Sequence, residues 1–279
     1  MESHKLTKLL LLPLLLASGV ETSYAGIDST SNNAFFAQIV SGGGWHSTIV
    51  LRNSTTRTIR YRLEFRTPVG EQLNLRLSDG QSNWYTEGSL FAGGTKFVET
   101  ADGGKDLQEG YARLSTPECP TTDAGTTCGA GISGVTGSLI FKLSVPPQAT
   151  WEVSIPLDST SASVSFPYDN SNGYLTALAI LNPFPSSGQR VRVQFRSENG
   201  GVVSEKFIGL GPRSRTVRLS GVAGPEDGVP GSGIAKETAG TKGTVTISSD
   251  SFSQIVAFGL LANPSGALSS LLAINDPLF

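Results

Sequence analysis

The stretch Thr58–Arg66, TIRYRLEFR, alternates apolar and charged residues along its length. Side chains two apart on a strand share a face, so Ile59, Tyr61, Leu63 and Phe65 point one way and Arg60, Arg62, Glu64 and Arg66 the other. A helical period would scatter both sets around a cylinder. The pattern returns at Gln189–Arg196, QRVRVQFR, where Phe195 and Arg196 stand at the offsets of Phe65 and Arg66. The reading is a strand with an apolar core side and a basic outer side, present twice.

Working outward, period-2 alternation recurs at Phe35–Val40, Ser47–Arg52, Leu73–Leu77, Thr95–Thr100, Gly110–Ser115, Gly137–Leu143 and Trp151–Leu157. Turn signals at Gly42–Gly44, Pro68–Gly70, Ala92–Gly94 and Val145–Gln148 separate them. The second half repeats this order. SGGGWHSTIVLRN, ending at Asn53, answers NSNGYLTALAILN, ending at Asn182. Arg60, Arg62, Phe65, Arg66 and Gly70 meet Arg190, Arg192, Phe195, Arg196 and Gly200. Thr95–Thr100 matches Ser214–Leu219, and Gly110–Ser115 matches Gly243–Ser248. The closing hairpin matches Gln254–Leu261 with Leu268–Ile274, turning through NPSG. Seven or eight strands per repeat predict an all-β protein of two tandem immunoglobulin-like antiparallel β-sandwich domains, 26–158 and 159–279. Two Gly/Pro-rich insertions, Pro117–Ser133 and Gly221–Gly240, distinguish the copies. They read as binding loops or as tolerated surface insertions.

Units that run from a GGGW-type turn through a strand ending in Asn, then F-R-x-x-x-G, then NPSG, resemble uncharacterised secreted bacterial β-sandwich repeat proteins. The resemblance spans nearly all of Phe35–Ile274. Its motifs are turn glycines and core aromatics, and it carries over no catalytic residue. It implies export and a surface or extracellular role.

The N-terminus points the same way. A short basic start, the apolar run LLLLPLLLASGV and the small-x-small triplet Ser23-Tyr24-Ala25 form a secretory signal over residues 1–25, cleaved after Ala25. No later apolar run approaches the ~20 residues of a membrane span, so no membrane insertion is expected after cleavage. The expected location is extracellular, at the cell surface or in the periplasm. Cys119 and Cys128, the two cysteines, read in that setting as a disulfide worth roughly 2–3 kcal/mol. Net charge of −2 and a pI near 5.8 give no general attraction to nucleic acid.

Few residues suit catalysis, and no cofactor is implied. The mature chain has one histidine, His46, and no G-x-S-x-G elbow to build a serine nucleophile around. One histidine does not make a zinc set. Asp169, in DNSNG, is a weak calcium candidate that a tight turn explains equally well. Glu99, Asp102, Asp106 and Glu109 flank a loop and read as solvated charge rather than a glycosidase pair. Trp84 and Tyr85 are adjacent in the polar stretch SNWYTEGS, so at least one ring is expected at the surface. These rings and the rows Arg60, Arg62, Arg66 and Arg190, Arg192, Arg196 are the candidate ligand-binding residues. The expected partner is an extracellular protein or polysaccharide. The alternative for the arginines is a solvated face paired to cross-strand acids.

Overall fold

The alternating stretches form strands. A computed structural model describes residues 33–101, 106–116, 126–127, 134–144, 151–225, 231–250, 253–265 and 267–274. The signal segment and the Cys119–Cys128 pair lie outside the described residues. The first half contains β1 (Asn33–Ser41), β2 (Trp45–Asn53), β3 (Thr58–Arg66), β4 (Leu75–Arg76), β5 (Ser82–Asn83), β6 (Tyr85–Leu90), β7 (Thr95–Glu99), β8 (Gln108–Ser115), β9 (Thr126–Thr127), β10 (Val135–Leu143) and β11 (Trp151–Pro156). One sheet runs β1-β8-β3-β6, with β9 joined in parallel to the start of β3. The other runs β11-β10-β2-β7, and β4 pairs only with β5.

The second half contains β12 (Ser163–Asp169), β13 (Leu175–Leu181), β14 (Gln189–Ser197), β15 (Val202–Leu210), β16 (Arg215–Ser220), β17 (Gly233–Ile234), β18 (Lys242–Ser249), β19 (Val256–Ala262) and β20 (Leu268–Leu271). Its sheets run β12-β18-β14-β15 and β20-β19-β13-β16-β17. Replacing each strand by its counterpart in the sequence carries the first pair of sheets onto the second. The duplication is therefore one of strand order. Asn53 and Asn182, which close the repeated motif, are both fully buried and have the same task. Asn53 Nδ2 donates to the carbonyls of Arg57 and Leu90, and its Oδ1 accepts from Thr55 N. Asn182 Nδ2 donates to Ser187 and Gly211 carbonyls, and its Oδ1 accepts from Phe184 N.

Alternation sets the core as expected in β3, where Ile59, Tyr61, Leu63 and Phe65 are buried. Two other segments break the alternation. In β1 every residue from Ala34 to Ser41 is buried, and in β13 every residue from Thr176 to Leu181. Leu178 and Ile180 face the second half's own core. Ala177, Ala179 and Leu181 join the core of the first half, together with Val256, Phe258 and Leu260 of β19. A strand buried on both faces reads as a continuous apolar run, as LTALAIL does. The halves are thus welded through a doubly buried sheet: β13 and β19 lie against β1, and β20 against β11. Both β1 and β11 are sheet edges, whose unpaired backbone would otherwise invite other strands.

One polar contact sits in this seam. Arg215, at the start of β16, has a side chain only 2% exposed. Its Nη2 lies 3.2 Å from Glu109 of β8, its Nη1 donates to Gln38 of β1, and its backbone N–H donates to Pro68 at 2.8 Å. Glu109, read from sequence as solvated charge, is 44% exposed in its side chain and also pairs with this guanidinium.

The junction between the halves carries a pH signature. Asp158 pairs its backbone with Phe35 in both directions, and burial pushes its carboxyl up from the ordinary 3.8 to about 7. Below pH ~4 the folded and unfolded chains both hold the proton. Between pH ~4 and ~7 the unfolded state releases it first, so stability falls as pH rises through that window. At about 1.4 kcal/mol per pH unit the difference would reach ~4 kcal/mol. The side chain keeps some solvent contact, so about 1–2 kcal/mol is expected. Asp158→Asn should raise the Tm by several degrees at pH 8 and change it little at pH 4. Equal shifts at both values would rule this out.

Candidate functional site

Cross-strand register places the first arginine row in a definite company. Across the outer face of the sheet β1-β8-β3-β6, Phe35, Arg113, Glu64 and Tyr85 stand in one rank. The next rank is Asn33, Ser115, Arg62 and Glu87. Trp84 immediately precedes β6 and reaches this face. Its ring meets that of Tyr85 edge-on at 4.8 Å. The Arg62 guanidinium lies 4.3 Å from the Tyr85 ring and 5.3 Å from that of Trp84, and the Arg66 guanidinium lies 5.0 Å from Trp84. Such cation–π contacts contribute ~0.5–1 kcal/mol each at exposed sites. Both rings remain half-buried. Of the sequence candidates, the fold therefore brings together Trp84, Tyr85, Arg62 and Arg66. Arg60 shares the face one pair further along, opposite Ser89.

Glu64, read from sequence as one more outward charge, is the hub of this surface. It is 8% exposed. Arg66 Nη2 donates to it at 3.0 Å, and Arg62 and Arg113 stand at 3.8 and 3.7 Å. Beside it a cleft of about 320 Å³ opens between the halves. Arg66, Arg113 and Tyr111 contribute to its first-half wall, and Phe184 and Arg213 to the opposite one. Burial pushes the Tyr111 phenol up to about 12, against the pull of the neighbouring arginines, so it stays a hydrogen-bond donor. Arg113, Tyr111 and Arg213 were not foreseen. The register of β8 against β3 brings Tyr111 and Arg113 to the row, and the docking of the second half brings Arg213; both are tertiary facts.

The second row has a different fate. Its equivalent rank is Ser165, Thr246, Gln194 and Glu205. Arg192 grips Glu205 through Nε at 2.9 Å and Nη2 at 2.5 Å, and Gln194 donates to the same oxygen. The hydrogen bond from Arg192 is the main cause holding the Glu205 carboxyl below its usual range. Arg190 stands 3.6 Å from Asp250 and 3.8 Å from the Phe207 ring, and Arg196 donates to the Gly200 carbonyl. These three belong to a solvated face with local partners.

The remaining candidates resolve into structure. Asp169 Oδ1 accepts from Ser171 N and Oγ at 2.8 and 2.6 Å, which is the tight turn that DNSNG suggested. Among the described residues, no group of three His, Cys, Asp or Glu could hold a metal ion. Part of the insertion Gly221–Gly240 is woven into its own half: β17 pairs with β16, and Ile234, Ala235 and Thr238 are buried. Asn170 fastens it by donating to Thr238 Oγ1 at 2.8 Å. No helix among the described residues is long and apolar enough to cross a membrane. Comparison with family models, curated proteins and solved structures gives no match, so the functional reading rests on these residues.

Proposed function

We propose that this is an exported, non-enzymatic structural or adhesive protein that engages an extracellular partner through the β3–β6 face of its first half. The observation that supports it is the convergence of Trp84, Tyr85, Arg62 and Arg66 on one half-exposed surface. Trp, Tyr and Arg are the side chains that most often dominate binding energy at protein interfaces. The scaffold would be two tandem immunoglobulin-like sandwiches. The pairings β2 with β7, and β3 with β8 and β6, agree with that reading. The outer strands depart from it, since β1 sits beside β8 where an immunoglobulin sheet places its first strand beside the second.

Carbohydrate binding is the second reading, favoured by the same rings. Guanidinium groups near the Trp84 ring at 5.0 and 5.3 Å compete with a stacked sugar, which places it behind a protein partner. Surface-protein capture and a glycan screen, run in parallel on wild type and Trp84→Ala, separate the two. We expect capture of a surface protein that weakens at least tenfold in the variant, about 1.4 kcal/mol, with the Tm within a few degrees. Glycan hits lost on the same change would shift the assignment to carbohydrate. Folded protein that takes neither would sink both.

A further inference from the structure

The cleft between the halves has a chemistry of its own. Three guanidinium groups, Arg66, Arg113 and Arg213, meet there with a single carboxylate, Glu64. Arg66 and Arg113 are held by Glu64, and Arg113 Nε also donates to Asn33 Oδ1 at 2.9 Å. Arg213 makes no ion pair among the described residues, so the cleft carries a net positive charge of about two. Its backbone is unusual too. Arg213 has φ 51°, a left-handed conformation that a long side chain adopts at a cost of ~1–2 kcal/mol. Strain of this kind is stored where surrounding structure holds a side chain in place. Here the Phe184 carbonyl accepts the Arg213 N–H at 2.8 Å, and the Gly70 turn packs on its other side.

The duplication supplies an internal comparison. Tyr111 and Arg113 of β8 correspond to Thr244 and Thr246 of β18, and Glu64 corresponds to Gln194. Only the first half has the charge and the ring at these positions, and it has them where the second half closes over its sheet. Neutral donors and acceptors complete the wall: Asn33, Thr160, Gln254 and the Tyr111 hydroxyl. The half-buried Phe184 supplies apolar surface.

We propose that this cleft binds a uronic-acid sugar, one ring carrying a carboxylate. Planar guanidinium forks match a carboxylate in two-point hydrogen bonds. The neutral polar groups suit ring hydroxyls, and the Phe184 ring suits the C–H face of a sugar. A volume of about 320 Å³ lies at the small end of ligand sites, fitting one or two rings rather than a length of peptide. The inference goes with the second, carbohydrate reading above, at a different site, and rests on it only for the choice of a sugar. Protein capture through Trp84 neither requires it nor depends on it.

The test is calorimetric titration of the full mature chain with digalacturonate, with neutral galactobiose, and with a Glu-Glu dipeptide. Digalacturonate is expected to bind and to weaken with added salt. Galactobiose and the dipeptide should bind at least tenfold more weakly. Arg213→Gly removes a guanidinium at a position whose backbone favours glycine, so affinity should fall at least tenfold while the Tm holds or rises. Should that variant lose stability, Arg113→Gln must show the same loss of affinity. No digalacturonate binding, equal binding of galactobiose, or full affinity in the variants would overturn the proposal. A dipeptide binding as tightly as digalacturonate would overturn the sugar assignment. In each of these outcomes, Trp84-dependent protein capture reports separately on the broader function.

Discussion

Arg215→Ala is expected to lower the stability of the whole protein by about 2–4 kcal/mol, or roughly 10 °C in Tm. The guanidinium is buried in the seam between halves, against Glu109 at 3.2 Å and Gln38. Removing it leaves the Gln38 amide oxygen without its donor, leaves Glu109 without its cation, and opens a cavity. The Glu109 side chain is 44% exposed, and water can solvate it once the guanidinium is gone. The cost therefore lies in the buried Gln38 oxygen and the lost packing, and an apolar side chain of similar volume would restore the packing. Burial itself disfavours the charge, drawing the Arg215 pKa down, and its Nε has no hydrogen-bond partner. Arg215→Met should therefore recover a good part of the loss. The repeat offers a control, because Lys96 holds the equivalent place in β7 and is exposed. Lys96→Ala should stay within ~0.5 kcal/mol. Urea denaturation of the three variants checks the argument. An Arg215→Ala protein as stable as Lys96→Ala would refute the seam.

Much of the fold was legible because period 2 is a local property. TIRYRLEFR and QRVRVQFR told core side from outer side, and the matched order of motifs anticipated the matched order of strands. What escaped was non-local. Strand β6 is not among the alternating stretches because YTEGSL carries little apolar alternation, as befits an edge strand with one neighbour. The docking of the halves left a trace that comparison of the copies reveals. Where β2 alternates as WHSTIVLRN, β13 reads LTALAIL, apolar almost throughout, because its second face meets β1. The candidate site was half legible. Adjacent Trp84 and Tyr85 and a row of arginines were visible as residue types. That Glu64 becomes a buried hub beside Arg113, and that Arg213 lines the opposite wall of the cleft, depends on register and docking that no single strand encodes.

Gly70→Ala and Gly200→Ala, matched positions of the repeat, should differ by more than 1 kcal/mol in their effect on stability. Both glycines have left-handed backbones, φ 89° and 80°. Alanine in that region costs ~1–2 kcal/mol wherever it stands. For Gly200 that is the whole expectation, since nothing lies within 4 Å of an added methyl group. At Gly70 the methyl carbon would sit 2.8 Å from the Arg213 carbonyl oxygen and 2.7 Å from its Cβ. A backbone oxygen gives way only if the turn retreats, and the neighbouring Pro68 carbonyl then leaves the Arg215 N–H it accepts at 2.8 Å. The expected total for Gly70→Ala is about 3 kcal/mol or more, with faster amide hydrogen exchange at Arg215 as a local sign. Combining it with Arg213→Gly removes the Cβ half of the clash and should restore part of the loss, a non-additive pair by double-mutant cycle. If Gly70→Ala matches Gly200→Ala in urea denaturation, and the cycle is additive, the turn does not carry the contact between the halves.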